Sequence, residues 1–234
     1  LAKNKPEWLA EWLASVIREK LKLKDGQSYE LLRGEDIAAE ELGPAADQAP
    51  RAFLDHLLPA IVDAIQAGMV RSYGTWSDYD HEQNGSFHHV SPDEALFESL
   101  VQALCQMLKI DSDYAMRLLC QLRDSEVIDM ERLHAAVLCR DDDLCFDLAA
   151  SFLASGGNAL SVTFKGRLAA CEMLKLHASR FSDRQLVAIE AAVMMCRPKG
   201  EHRKRENYGI DSPKTCLGNW RGYLQMKLLR AFPK

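Results

Sequence analysis

Three histidines occur close together in one stretch that also contains acidic side chains. Imidazole nitrogens and carboxylates bind Zn²⁺, so His81, His88 and His89, with nearby Asp78 and Asp80, are the first candidates for chemistry. Zinc sites hold their ligands at spacings that converge, usually on a helix or a knuckle, and none of these spacings occurs here. The pattern therefore predicts no metal site, and an enzyme that uses this stretch is the least favoured function.

A run of three aspartates lies between Cys139 and Cys145. Five residues separate the two cysteines, which fits neither a Cys-x-x-Cys zinc knuckle nor a redox pair. Successive aspartates also fail to give the alternate-residue ligands of a calcium loop. We expect the aspartates to cap a helix that begins near Leu144, where negative charge stabilises the N-terminal end of the helix dipole.

Motifs for nucleophilic and nucleotide chemistry are missing from the sequence. There is no Gly-x-Ser-x-Gly, no Gly-x-x-x-x-Gly-Lys-Ser/Thr and no Gly-x-Gly-x-x-Gly. A zinc site at Cys196, His202 and Cys216 would need a fourth ligand, and the sequence has none at a suitable spacing. Gly156 and Gly157 follow a helical pattern and lack the lysine of a phosphate-binding loop. They therefore indicate the end of a helix. We therefore predict no enzyme activity, no cofactor and no metal.

The most basic stretch of the chain is the first candidate for binding. Acids outnumber bases before residue 197, whereas bases outnumber acids after it. Such a segment attracts phosphates through counterion release, or docks on an acidic protein surface. Tyr208 is the one nearby aromatic residue, so stacking on bases is weakly supported. The alternative is a solvated loop without a binding role. The candidate binding residues are Arg197, Lys199, Arg203, Lys204 and Arg205.

Tryptophans are the other binding candidates. Trp76 lies in an irregular aromatic stretch at about 69–90, through which no helical period continues. Stretches of this length without helix or strand are often functional, although an ordered linker is the alternative. Trp8 and Trp12 lie one turn apart on a predicted helix, and we expect them to pack as core against the next helix. A partner-binding ridge is the second interpretation of this pair.

Helical periodicity covers the first part of the chain. In the helix predicted over residues 52–66, Pro59 should cause a kink or a division, and Gly68 should mark the end. Residues 43–50 are predicted to form a loop. Apolar residues at steps of three and four predict helices over residues 6–24 and 52–66, and residues 34–42 can form a short acidic helix between them.

Six further helices are predicted between Ser91 and Cys196, and a final one covers residues 217–232. Short breaks between them favour antiparallel pairs, and an echo between residues 119–124 and 137–142 favours stacked repeats. We predict an all-α fold of stacked antiparallel helix pairs, a HEAT- or armadillo-like α-solenoid, with an irregular all-α globule as the alternative. The stripes are Leu96–Met107, Ala115–Leu122, Met130–Val137, Leu144–Phe152, Phe164–Ala178 and Leu186–Val193.

Composition and cysteine usage indicate a folded intracellular protein. No run of ~18 apolar residues occurs, so no membrane span is predicted. Seven cysteines without a regular framework favour reduced thiols and a cytoplasmic location. The chain begins with Leu1, and we expect it to be a piece of a longer protein. The predicted segments are 1–68 (helical), 69–90 (irregular), 91–196 (helical array) and 197–234 (basic loop and last helix).

The order of parts over residues 70–234 also carries a resemblance. A tryptophan-containing loop precedes the run Pro92–Leu100, small pairs follow at 149–150 and 169–170, and the chain closes on Trp220–Pro233. This arrangement resembles the helical-repeat region of large bacterial STAND-type ATPases, including antiphage defence proteins. The ATPase motifs themselves are absent. The resemblance implies a sensor or scaffold whose concave face binds a partner protein.

The sequence therefore predicts a non-catalytic helical module that binds a partner protein. We expect Trp76 and the basic residues 197–205 to be its first contact points. The alternative is a helical domain that binds nucleic acid through the basic C-terminal segment.

Overall fold

The computed structural model describes residues 5–22, 39–68, 92–125, 128–140, 144–157, 159–164, 167–196 and 224–232. Over these ranges the chain is all-α, as predicted, with one pair of two-residue strands. The chain divides into two compact units, Leu1–Val137 and Leu138–Lys234. The segment boundaries predicted at residues 68, 90 and 196 stay predictions.

In the first unit, helix α1 packs on α2 and on a bent helix made of α3, a π-helical turn and α4. Helix α5 packs on α2, on α3, on the π turn and on α6. The bounds are α1 Pro6–Lys22, α2 Ala39–Gln48, α3 Pro50–Ala52, π turn Phe53–Leu57, α4 Leu58–Gln66, α5 Pro92–Ile110, α6 Ser112–Arg123 and α7 Ile128–Leu138, whose last residue begins the second unit.

The predicted stripe of α5 forms the centre of this packing. Leu96, Leu100, Leu104 and Met107 are all buried. Asp111 then ends α5 and caps α6, because its carboxylate accepts a hydrogen bond of 3.1 Å from the backbone N–H three residues on. The break predicted from the sequence here is confirmed.

The bent helix follows the prediction for Pro59. Proline has no N–H, and its ring clashes with the carbonyl four residues back in a regular α-helix. The π turn lies directly before α4, and the Leu58 N–H bonds to the Phe53 carbonyl, five residues back, instead of four. Gly68, at φ 67°, ends the helix as predicted.

The loop predicted over residues 43–50 is wrong, because α2 runs through Gly43 and Pro44 to Gln48. Ala45 and Ala46 are buried, so the small residues that suggested a loop are packing residues. A Cβ at Gly43 would lie 2.9 Å from the side-chain oxygen of Gln102 on α5, so a larger residue at this position would require that flexible side chain to move.

In the second unit, α8 packs against α9 and α10. Gly156 and Gly157 have positive φ and end α8, and Ser182 forms a capping box with Gln185 at the start of α10. The bounds are α8 Phe146–Ala154, a 3₁₀ turn Ala159–Ser161, β1 Thr163–Phe164, β2 Arg167–Leu168, α9 Ala169–His177, a 3₁₀ turn Ala178–Arg180, α10 Asp183–Met195 and α11 over 224–229.

One predicted helix start in this unit is wrong, and a second, near Leu144, lies two residues before the observed start at Phe146. Phe164 and Leu168 do not begin a helix, because β1 and β2 pair antiparallel with Thr163 opposite Leu168. β-branched and aromatic residues favour strands, and α9 begins only at Ala169. Leu144 precedes α8 and is 48% exposed, so the buried side of that helix is carried by the residues after it. The last helix is described only over 224–229, where Leu224 and Leu228 are buried.

Candidate protein-binding surface

The residues first predicted to contact a partner lie outside the described ranges. This applies to Trp76 and to Arg197, Lys199, Arg203, Lys204 and Arg205, and also to the three histidines at 81, 88 and 89. Among the residues that the structure describes, no three His, Cys, Asp or Glu side chains gather as they would around a metal ion. The described helices also include none with the length and apolar character that a membrane span requires.

Helix α1 presents two tryptophans to solvent. Its buried face consists of Leu9, Ala10, Leu13, Ala14 and Ile17, which pack towards α2 and the bent helix. Successive residues of an α-helix are rotated by about 100°, so a stripe that begins one residue earlier points away from that packing. The predicted core role of the tryptophan pair is therefore wrong.

The exposed tryptophans and the residue one turn further form a continuous surface. Trp8 is 57% exposed, Trp12 is 41% exposed and Val16 is half-buried. We call these three residues the Trp ridge. The aliphatic and alanine stripe faces the core because small side chains let α1 approach its neighbours closely, whereas two indoles would hold the helices apart.

Charged side chains border the Trp ridge. The Lys5 ammonium lies 4.9 Å from the centroid of the Trp8 ring, within the range of a cation–π contact. The Glu11 carboxylate lies 3.7 Å from His56 Nε2 of the π turn. The Ser15 hydroxyl donates a 2.9 Å hydrogen bond to the Glu11 carbonyl. An aromatic strip with a polar border is the arrangement found at the energetic centre of protein interfaces.

The second unit has an exposed apolar surface of a different kind. On α10, Ile189 and Val193 are buried as predicted, but Met194 and Met195 are 57% and 77% exposed. Gln225 of α11 donates a 2.8 Å hydrogen bond to the Met194 carbonyl, which fixes α11 beside the end of α10. Methionine adapts to irregular partners, so this surface is less specific in shape than a pair of indoles.

A polar cluster joins the π turn to α6. The Tyr114 hydroxyl donates a 2.7 Å hydrogen bond to Asp55, and the Arg51 guanidinium lies 4.5 Å from the Tyr114 ring and 3.6 Å from Asp111. Burial, followed by the hydrogen bond to Asp55, raises the pKa of Tyr114 to about 12. The phenol stays protonated at neutral pH, so the cluster fixes two helices and supplies no nucleophile. Sequence reasoning missed it, because only the i,i+4 spacing of Arg51 and Asp55 is visible along the chain.

Buried histidines and cysteines satisfy structural roles in each unit. His134 Nδ1 lies 2.8 Å from the Leu119 carbonyl, and burial lowers the pKa of His134 to about 4. His177 Nε2 lies 2.9 Å from the Leu138 carbonyl. Burial raises the pKa of Cys139 to about 12, so its thiol is not an effective nucleophile at neutral pH. Cys120, Cys139 and Cys171 carry reduced thiols.

Comparisons with family models, with curated protein sequences and with solved structures find no match to this chain.

Proposed function

We propose that the chain is a non-catalytic helical module that binds a partner protein through the Trp ridge. The observation that carries this proposal is the exposure of Trp8 and Trp12 on a helix whose other face already supplies the core. Tryptophan is strongly enriched among the residues that dominate binding energy, because it buries a large rigid surface at a low cost in conformational entropy.

The arrangement of the helices is a second part of the proposal. We propose that the helices form stacked antiparallel pairs, as in an α-solenoid, and that the module serves a larger cytoplasmic protein as a sensor or scaffold. Helices α5 and α6 are joined at Asp111 and pack on each other, which supports the pairing, and the resemblance to STAND-type ATPases supports the role. Hydrogen exchange would show protection that decreases from helix pair to helix pair in such an array, and one uniform level of protection would contradict it.

Capture from native lysate tests the binding role. The 234-residue chain serves as bait, with nuclease treatment before capture, and is compared with Trp8→Ser/Trp12→Ser. Loss of a central interface tryptophan commonly costs ~2 kcal/mol or more, so we expect captured protein to fall by at least about tenfold. Ile110→Ser is the matched control, since Ile110 is also an exposed apolar residue of this unit and lies outside the ridge.

Two results would contradict the proposal. Equal capture by the wild-type chain and the double tryptophan variant would remove the ridge as the binding surface. Recovery that depends on nucleic acid, and disappears with nuclease, would favour the basic C-terminal segment as the binding element.

A further inference from the structure

We propose that the occupant of the Trp ridge is a second copy of this chain, with the two α1 helices side by side in antiparallel directions. The inference rests on the proposed function, because it names the partner of the same surface. Charge, register and side-chain size on α1 carry it.

Charge changes sign along α1. The first half carries Glu7 and Glu11, whereas the second half is basic despite Glu19. Two such helices in parallel would place like charges side by side, and in antiparallel directions they place opposite charges side by side. The bases of the second half are Arg18, Lys20 and Lys22.

The spacing of these charges gives the register. In an antiparallel pair that crosses between Ala14 and Ser15, residues equally distant from the crossing lie opposite each other. Glu11 of one copy then lies opposite Arg18 of the other, and the two-fold axis repeats this pair. Each residue advances the helix by about 1.5 Å, so the two pairs lie roughly 10 Å apart along the interface.

The same register gives Trp12 a suitable surface. Trp12 of each copy lies level with Ile17 of the other. Ile17 is buried, so the outward-facing side chains that the indole ring would meet are those of Ser15 and Val16. Covering Ser15 leaves its hydroxyl satisfied, because it already donates to the Glu11 carbonyl at 2.9 Å. Val16 is half-buried and apolar, so it adds contact without a desolvation penalty.

The contact area determines how strong this dimer is. Helix α1 has 17 residues and is therefore about 25 Å long. One face of a helix of that length buries less than the roughly 800 Å² per partner that is typical of stable complexes. We therefore expect a weak dimer, with a dissociation constant on the order of 10–100 µM.

Sedimentation velocity of the purified 234-residue chain tests the inference. We expect the sedimentation coefficient to rise between about 1 and 300 µM protein, a range that brackets the expected dissociation constant. Glu11→Arg and Arg18→Glu should each weaken association about 2- to 30-fold, because each disturbs two exposed ion pairs. The combined variant Glu11→Arg/Arg18→Glu should recover wild-type association.

Controls separate charge reversal from other effects. Glu190→Arg reverses an exposed acid on α10 and should leave association unchanged. An equimolar mixture of the two single variants should associate more strongly than either alone, since each chain then meets its opposite. Circular dichroism confirms that all variants keep the helix content of the wild-type chain.

The outcomes distinguish this inference from the proposed function. A chain that is monomeric at every concentration overturns the second copy as occupant, while ridge-dependent capture from lysate would still support partner binding. Association that the combined variant does not recover overturns the antiparallel register. Association that Trp12→Ser leaves unchanged shows that the dimer uses another surface and overturns the inference.

Discussion

Acid is expected to destabilise the first unit through His134. Burial lowers the pKa of this side chain from 6.5 to about 4, with the Leu119 carbonyl acting in the opposite direction. The neutral form is therefore favoured in the folded state, and the unfolded chain binds the proton first as the pH falls. The stabilisation that His134 contributes is present above pH 6.5 and is lost between about pH 6.5 and pH 4.

The magnitude follows from this shift. One pKa unit corresponds to about 1.4 kcal/mol, so a fall from 6.5 to about 4 corresponds to roughly 3 kcal/mol when the loss is complete. Between pH 7 and pH 5 the expected loss in the free energy of unfolding is about 2 kcal/mol. This is a substantial part of the roughly 5–15 kcal/mol by which proteins are stable.

Denaturant unfolding at pH 7, 6 and 5 measures the effect, with helix content as the signal. His134→Asn is the matched variant, because its amide places a donor near the position of Nδ1 but does not titrate. Subtracting its pH dependence from that of the wild-type chain removes the contribution of carboxylates and other histidines. The same loss of stability in both proteins between pH 7 and pH 5 would refute this assignment.

Two further substitutions test specific contacts. Tyr114→Phe removes the hydroxyl that bonds to Asp55. We expect the free energy of unfolding, measured with urea, to fall by about 0.5–1.5 kcal/mol. An unchanged free energy of unfolding would count against the cluster as a link between helices. Gly156→Ala places a Cβ on a residue at φ 66°. The nearest described residue, Ala192, lies at ordinary contact distance, so the expected loss of roughly 1–2 kcal/mol in the free energy of unfolding comes from backbone strain. A thermal midpoint equal to that of the wild-type chain would contradict this.

On α5 the predicted stripe was correct, although the adjacent apolar residues Phe97, Val101 and Leu108 are buried as well. Leu96, Leu100 and Leu104 lie on one side of α5, and all are buried. The division at Pro59 was also predictable, because proline in the interior of a helix removes a hydrogen bond and clashes with the preceding turn. These features depend on residues near one another in the sequence.

Features set by distant neighbours could not be predicted. Helix α1 has two adjacent apolar stripes, and only the helices packed against it decide that Leu13 is buried while Trp12 is exposed. Residues 43–48 belong to α2, because packing on α5 makes a helix of these small side chains favourable. Tyr114 lies 59 residues from Asp55, so no local spacing indicates their hydrogen bond.

The candidate site was therefore predicted in part. The sequence identified Trp8 and Trp12 as a pair one helical turn apart, with a partner-binding ridge as the second interpretation. The exposure of both tryptophans in the structure favours the partner-binding ridge over the core role that was expected first. The first candidates, Trp76 and the basic residues of 197–205, stay predictions.

The most direct test of the central claim compares nuclease-treated captures by the wild-type chain, by Trp8→Ser/Trp12→Ser and by Ile110→Ser. If the Trp ridge is the binding surface, captured protein falls by at least about tenfold with the double variant and is unchanged with the control. Equal capture by all three proteins would contradict the claim and show that partners bind elsewhere on the chain.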